Sequence, residues 1–192
     1  MVHRYSFIAS AFASAVIALF VLTSPAQASL LDQVHITYWA GTGENVSILV
    51  TDFGDASFAF GYRWDGAATA WDMMQAIDAA GELALLHTDF GGLGILIDEI
   101  SYDGHAMAGV WPVTYLGWWT SDDGLSWTPS GLGVAQQPLS DGGWYGWSVE
   151  DASLLDGPFN APRVPLPEPA SLALVAAGAA LVLGRRNRAG GC

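Results

Sequence analysis

Apolar residues along this chain first recur at every second position. Val34, Ile36 and Tyr38 fall on one side of an extended segment, Val46, Ile48 and Val50 on one side of a second, and Phe58, Phe60, Tyr62 and Trp64 on one side of a third. This is the period of β-strands that bury one face. Ala40-Gly41-Thr42-Gly43 and Asp52-Phe53-Gly54-Asp55 lie between them, and such turn formers make a meander the economical connection. After Trp64 the period lengthens. Thr69 and Asp72 have capping-box spacing, Trp71, Met74 and Ile77 recur at helical intervals, and Gly81 ends the run, which predicts an amphipathic helix over 70–80. A further helical turn is expected over 82–87, a loop over 89–94 and a strand over 95–102 that ends at Asp103-Gly104. The fold class expected is α+β, a mainly antiparallel sheet of about five to seven strands with one main helix across a face.

The two ends follow a different pattern. His3 and Arg4 precede the apolar residues 7–22, and Ala26-Gln27-Ala28 places small side chains before Ser29. That is the layout of a secretory signal peptide, 1–28, cut between Ala28 and Ser29 with Ala26 and Ala28 read by signal peptidase. Near the other end, 170–184 carries no charge, and Arg185, Arg186 and Arg188 follow. A helix there covers about 22 Å, short for a bilayer core, so snorkelling arginines or a thinned membrane must help it span. The positive-inside rule leaves the arginines in the cytoplasm and the body of the protein on the far side. The divisions expected are a single exported domain over 29–157, a disordered Pro-rich linker over 158–169, and a transmembrane helix with a basic tail over 170–192.

Pro167-Glu168-Pro169, then Ser171, a short apolar run and the cluster Arg185, Arg186 and Arg188 together resemble the PEP-CTERM sorting signal of Gram-negative bacteria, over residues 164–192. The resemblance implies recognition by an exosortase that cuts near Pro-Glu-Pro. It also implies a transient anchor in the inner membrane, delivery to the cell surface or extracellular matrix, and an association with exopolysaccharide. Ser101 to Gly104, Trp118-Trp119 and Asp141 to Trp147 are similar to the bodies of PEP-CTERM proteins that have no assigned activity.

Charge narrows the partners. Of the 19 acidic residues all but Glu168 lie between Ser29 and Arg163, where Arg63 and Arg163 are the only basic ones, and the chain has no Lys. Phosphate backbones are bound by cations that displace counterions, so nucleic acid is excluded as a partner. The one cysteine, Cys192, lies outside the domain, whose stability must therefore come from packing without disulfides.

Candidate chemistry is sparse. His35, His87 and His105 are scattered without a His-x-His pair, no Gly-x-Ser-x-Gly elbow occurs, and the glycines of 89–94 lack the Lys of a phosphate loop. Asp98-Glu99 and Asp122-Asp123 are neighbours whose side chains leave an extended chain on opposite faces, unlike the converging carboxyls of a glycoside hydrolase. No catalytic residue, cofactor or metal site is expected, and a carboxylate-based hydrolase is the least favoured reading. Thr120, Asp122, Gly124 and Trp127 match the Ser/Thr-x-Asp-x-Gly-x-x-Trp pattern and resemble the Asp-box hairpin of sialidases and other propellers. The single copy carries over a turn, not a propeller or an activity. Trp118, Trp119, Trp144 and Trp147 form a candidate ligand face for polysaccharide if they stand exposed, and a plain core if both sides of the sheet are covered. The function expected is that of an exported, surface-sorted, non-enzymatic protein of the envelope or exopolysaccharide matrix, with a carbohydrate-binding module as the alternative.

Overall fold

A computed structural model describes residues 30–154 and 159–166. The signal-peptide residues Ala26, Ala28 and Ser29 lie outside the described residues, as do the sorting residues Pro167, Glu168, Pro169, Ser171, Arg185, Arg186 and Arg188. Among the described residues no helix is long and apolar enough to cross a membrane. The chain divides after Asp32, and of the first unit only residues 30–32 are described, in the helical turn α1 (Leu30–Gln33).

The second unit is an α+β arrangement of β1 (Ile36–Gly41), β2 (Asn45–Asp52), β3 (Ser57–Trp64), α2 (Ala70–Ala80), β4 (Ala84–Asp89), β5 (Ile95–Tyr102), β6 (His105–Ala108), β7 (Thr114–Ser121), β8 (Thr128–Pro129) and β9 (Trp144–Asp151). Six strands form one sheet in the order β1-β3-β2-β9-β7-β8, and β4-β5-β6 form a second. Two pairs, β1 with β3 and β2 with β9, are parallel, and the other pairs are antiparallel. The expected meander is thereby corrected. β1 does not pair with β2 but passes over the end of β3, and the crossing is tight enough to need Gly41 and Gly43. A Cβ on Gly43, whose φ is 146°, would sit 2.2 Å from the Trp64 carbonyl.

The helix bounds agree with the sequence. Thr69 N–H donates to Asp72 Oδ2 at 2.7 Å while Asp72 N–H donates to Thr69 Oγ1 at 3.3 Å, a reciprocal capping box. Gly81 ends α2 as expected, and the cause is steric. Gly81 is extended at φ −153°, and glycine is needed because a Cβ would meet the Tyr38 ring at 2.3 Å. Tyr38 itself finishes the helix, donating to Ile77 O at 3.0 Å and accepting from Leu83 N–H at 3.3 Å. The helical turn expected over 82–87 is instead the start of β4, which pairs with β5. Leu83 enters the core immediately after α2, and that burial starts the edge strand where a second helical turn would have stayed in solvent.

The core lies between one face of the large sheet and a cover of α2 and the small sheet. Phe60, Tyr62, Trp64, Leu49, Tyr145 and Trp147 meet Met73, Met74 and Ile77 of the helix and Ile97, Ile100 and Met107 of the small sheet. Phe60, Met73, Met74 and Ile77 are fully buried, each contributing about 1.5–3 kcal/mol by removal from water.

The opposite face is covered by 159–166, part of the stretch expected to be a disordered linker. Pro162 is buried and packs with Trp127 on Gly146, Phe159 meets Trp119 edge-on at 6.1 Å, and His35 N–H donates to Pro165 O at 3.3 Å. Arg163 fastens the segment to Asp52 by an ion pair of 2.6 Å. With Phe159 and Pro162 covering apolar surface, a loose linker here would leave that face wet.

Candidate functional site around the open edge of β7

Two long strands, β7 and β9, carry the tryptophans singled out in the sequence. Their antiparallel register sets Trp118 opposite Trp147 and Ser121 opposite Trp144. Alternation then places Trp118 and Trp147 toward the core and Trp119 and Trp144 on the other face. Trp119, Trp144 and Trp147 are only 3–5% exposed and Trp118 is half-buried. Of the two alternatives, an exposed ligand face or a plain core, the four rings follow the second in being divided between two faces of the sheet, with three of them almost fully buried. Within the core Trp118 stacks on Tyr145 at 5.9 Å and tilts against Trp147 at 4.8 Å.

The turn that follows β7 also differs from expectation in its residues. Asp123, not Asp122, ties it, accepting Leu125 N–H at 2.8 Å and Ser126 N–H at 2.7 Å on Oδ1. Ser121 Oγ accepts Gly124 N–H at 2.9 Å, while Thr120 lies in β7 opposite Tyr145. The Asp122 side chain is exposed and makes no hydrogen bond among the described residues. The fastening is one position later than the pattern suggests because Ser121, the last residue of β7, turns its hydroxyl to the loop. Backbone and hydroxyl donors hold the Asp123 carboxyl below its ordinary range. Gly124 takes φ 71°, and Trp127 packs on Gly146.

β8 pairs with β7 only at Trp119 and Thr120, which leaves the rest of that edge to loops. Trp118 O accepts Ser130 N–H at 2.8 Å, and Thr114 N–H donates to Val110 O at 3.0 Å. Between them the peptide groups of Leu116 point away from β9, by the alternation of an antiparallel ladder. A cleft of about 710 Å³ lies along this edge. It passes around the strand, since it is lined by Leu116, Trp118 and Trp147 from the core-facing side and by Tyr115, Trp119 and Glu150 from the other. Leu96, Trp111 and Leu132 line its mouth and are 50–70% exposed.

The polar groups of the cleft divide into satisfied and unsatisfied. On the outer side Trp119 Nε1–H donates to Ser148 Oγ at 2.8 Å, Ser148 Oγ–H to Glu150 Oε1 at 3.1 Å, and Asn160 N–H to Glu150 Oε2 at 2.9 Å. The buried Glu150 carboxylate thus acts as an anchor for the covering segment. Burial, and then the charge of Glu150, push the Tyr115 phenol up, so Tyr115 remains a neutral hydroxyl. On the inner side the Nε1–H groups of Trp118 and Trp147 are buried and have no acceptor among the described residues.

The carboxylates and histidines nearest the cleft make local contacts. Asp98 accepts Thr88 Oγ1–H at 2.7 Å, and His105 pairs with Asp55 at 3.2 Å while its ring lies beside Phe53 and Phe58. No cluster of His, Cys, Asp or Glu suited to a metal occurs among the described residues. Sequence reasoning missed Tyr115, Leu116 and the loop residues that shape the cleft, because an indole becomes an unpaired donor only through tertiary packing. No protein-family model matches the chain, no curated protein matches it significantly in sequence, and no solved structure matches its fold significantly.

Proposed function

We propose that this is an exported, surface-sorted, non-enzymatic protein of a Gram-negative cell envelope or exopolysaccharide matrix. It carries an N-terminal signal helix removed by signal peptidase and a C-terminal transmembrane helix that serves as a transient anchor until an exosortase cuts near Pro167-Glu168-Pro169. The observation that supports the non-enzymatic part is the use of the carboxylates. Asp52 holds Arg163, Asp72 caps α2, Asp123 ties its turn, Asp141 accepts Val46 N–H at 2.9 Å, and Glu150 accepts Ser148 and Asn160. Acids spent in this way fasten loops to a sheet and do not converge on a substrate. The sorting part rests on the sequence of the ends, and the fastening of 163–165 to the domain supports it by bringing the motif directly after a folded body.

Changing Pro167, Glu168 and Pro169 together to alanine tests the sorting reading in the producing cell. The variant is expected to accumulate at full length in the inner membrane, while the surface form of the parent yields no peptide from 173–183 by mass spectrometry. Recovery of those peptides from the surface form in stoichiometric yield would make the tail a permanent anchor and overturn the proposal.

A further inference from the structure

The small sheet ends in a strand with one bare edge. β4 pairs with β5 and with no other strand. Just past its end Phe90 N–H donates to Gly94 O at 3.0 Å. Alternation along the ladder then turns the peptide groups of Ala84, Leu86 and Thr88 towards β5 and those of Leu85, His87 and Asp89 away from it. The N–H and C=O groups of Leu85, His87 and Asp89 have no hydrogen-bond partner among the described residues. β4 carries neither Pro nor Lys, and the one bulge of the pair lies on β5 at Asp98, so the devices that usually blunt an edge are missing from it. We propose that the outer edge of β4 binds an extended polypeptide segment of alternating apolar and basic residues, added antiparallel as a fourth strand. This goes beyond the sorting reading and does not depend on it.

Side chains and charge select this partner. On one face of β4 Leu86 stands 61% exposed, opposite Glu99 in the ladder, and Thr88 donates its hydroxyl to Asp98 at 2.7 Å. A Lys or Arg placed opposite Leu86 lays its methylene stem on that side chain and carries its charge towards Glu99. A second cation two residues away, opposite Thr88, reaches towards Asp98 on the same face. On the other face Leu85 is half-buried against the core and His87 meets the Trp71 ring at 4.7 Å, so the partner residues that alternate with the cations are apolar. Residues 82–108 hold five acidic residues and no Arg or Lys, which decides the sign of the partner's charge. The same imbalance decides against a second copy of this chain, whose β4 would offer Leu86 and Thr88 in place of cations and set its own acids beside these. In the antiparallel sense, which bonds more strongly per residue, three partner residues answer all the free groups of Leu85, His87 and Asp89.

The test uses the full chain in a zwitterionic detergent at low salt, with dye-labelled, end-capped peptides followed by fluorescence anisotropy. The probe is Val-Lys-Val-Lys-Val, expected to saturate with Kd below about 1 mM, and Val-Glu-Val-Glu-Val should bind at least about tenfold more weakly. Backbone geometry is read on the peptide. N-methylation of the valines, whose N–H groups face β4 in the antiparallel strand, should abolish binding, while N-methylation of the lysines should leave it within about twofold. On the protein, Leu86→Lys alters an exposed side chain and should weaken binding at least about tenfold, and Glu99→Gln about threefold. Asp122→Asn, remote in the turn after β7, should leave it unchanged. Absence of binding, retention by the valine-methylated peptide, or equal affinity for the acidic peptide would each overturn the site. So would dimerisation of the parent in sedimentation that Leu86→Lys abolishes, which would assign the edge to a second copy.

Discussion

Asp52 and Arg163 are 111 residues apart in sequence and meet in a two-pronged pair, Arg163 Nε donating to Oδ2 at 2.8 Å and an Nη to Oδ1 at 2.6 Å. Asp52 also accepts the backbone N–H groups of Arg163 and Gly54, each at 2.9 Å, and Ser57 Oγ donates to Arg163 O. The carboxylate is buried whereas the guanidinium is more than half exposed, so the pair acts chiefly by keeping a buried acid satisfied. It holds residues 159–166 over the outer face of the large sheet.

Removing the cation leaves Asp52 buried with backbone donors alone. Arg163→Ala is expected to lower unfolding stability by about 1–3 kcal/mol, seen as a fall in Tm. In the parent protein the same clamp should shield the Arg163-Val164 bond from trypsin. Asp52→Ala should expose it, with mass spectrometry finding the new end after Arg163. Equal cutting of both proteins would show that the clamp does not hold the segment.

Acid reads the same pair. Burial opposes the Asp52 charge, but the Arg163 and Gly54 donors outweigh it and hold the carboxyl below its ordinary value of 3.8. A group whose pKa is lower in the folded state stabilises that state above its unfolded value, and the contribution is lost as pH falls through the folded one. The difference in stability between the parent and Asp52→Asn should therefore be constant at neutral pH and shrink below about pH 4. Comparing the two proteins removes the common effect of the other acids. A difference that grows on acidification would contradict the assigned direction.

What could be read from the sequence was local. The bounds of α2 follow from Thr69 and Asp72, and those of β5 from an apolar run stopped by Asp103-Gly104, whose positive φ values of 49° and 79° make a tight hairpin to β6. What could not be read was pairing between distant segments. Nothing near β1 says that it lies beside β3 and not β2, and nothing near Leu83 says that it is buried and that a strand follows it at Ala84. The tryptophan positions were visible, but their division between two faces depends on the register of β7 with β9. The cleft was invisible for the same reason, since it exists only where β8 stops short of covering β7.

The crossover of β1 gives a test of that non-local order. Gly43→Ala would drive a Cβ onto the Trp64 backbone at 2.2 Å, whereas Gly54→Ala, also at positive φ, meets nothing within 4 Å. Gly54→Ala should cost about 1 kcal/mol from backbone strain alone, and Gly43→Ala at least about 3 kcal/mol. Denaturant unfolding of both variants checks the ratio. Similar losses would place the β1–β2 connection elsewhere than over the end of β3.

For the turn after β7, Asp123→Ala should speed amide hydrogen exchange at Leu125 and Ser126, the two donors that its Oδ1 accepts. Asp122→Ala should leave those amides as they are. The reverse result would restore the motif's own register and make the Asp123 bonds incidental.

The covering segment also limits where a processing cut can fall without harm. A chain ending at Leu166 keeps Phe159, Pro162, Arg163 and the Pro165 carbonyl in place, so it should unfold within about 1 kcal/mol of the full chain. A chain ending at Ser153 loses the ring beside Trp119, the contact on Gly146, the partner of Asp52 and the Asn160 N–H that Glu150 accepts. It exposes apolar surface and leaves two buried carboxylates short of donors, which should cost about 3 kcal/mol or more. Thermal unfolding of the two truncated chains checks both values. If the shorter chain proves as stable as the longer, 159–166 is an appendage and not part of the fold, and the domain would tolerate a cut on either side of it.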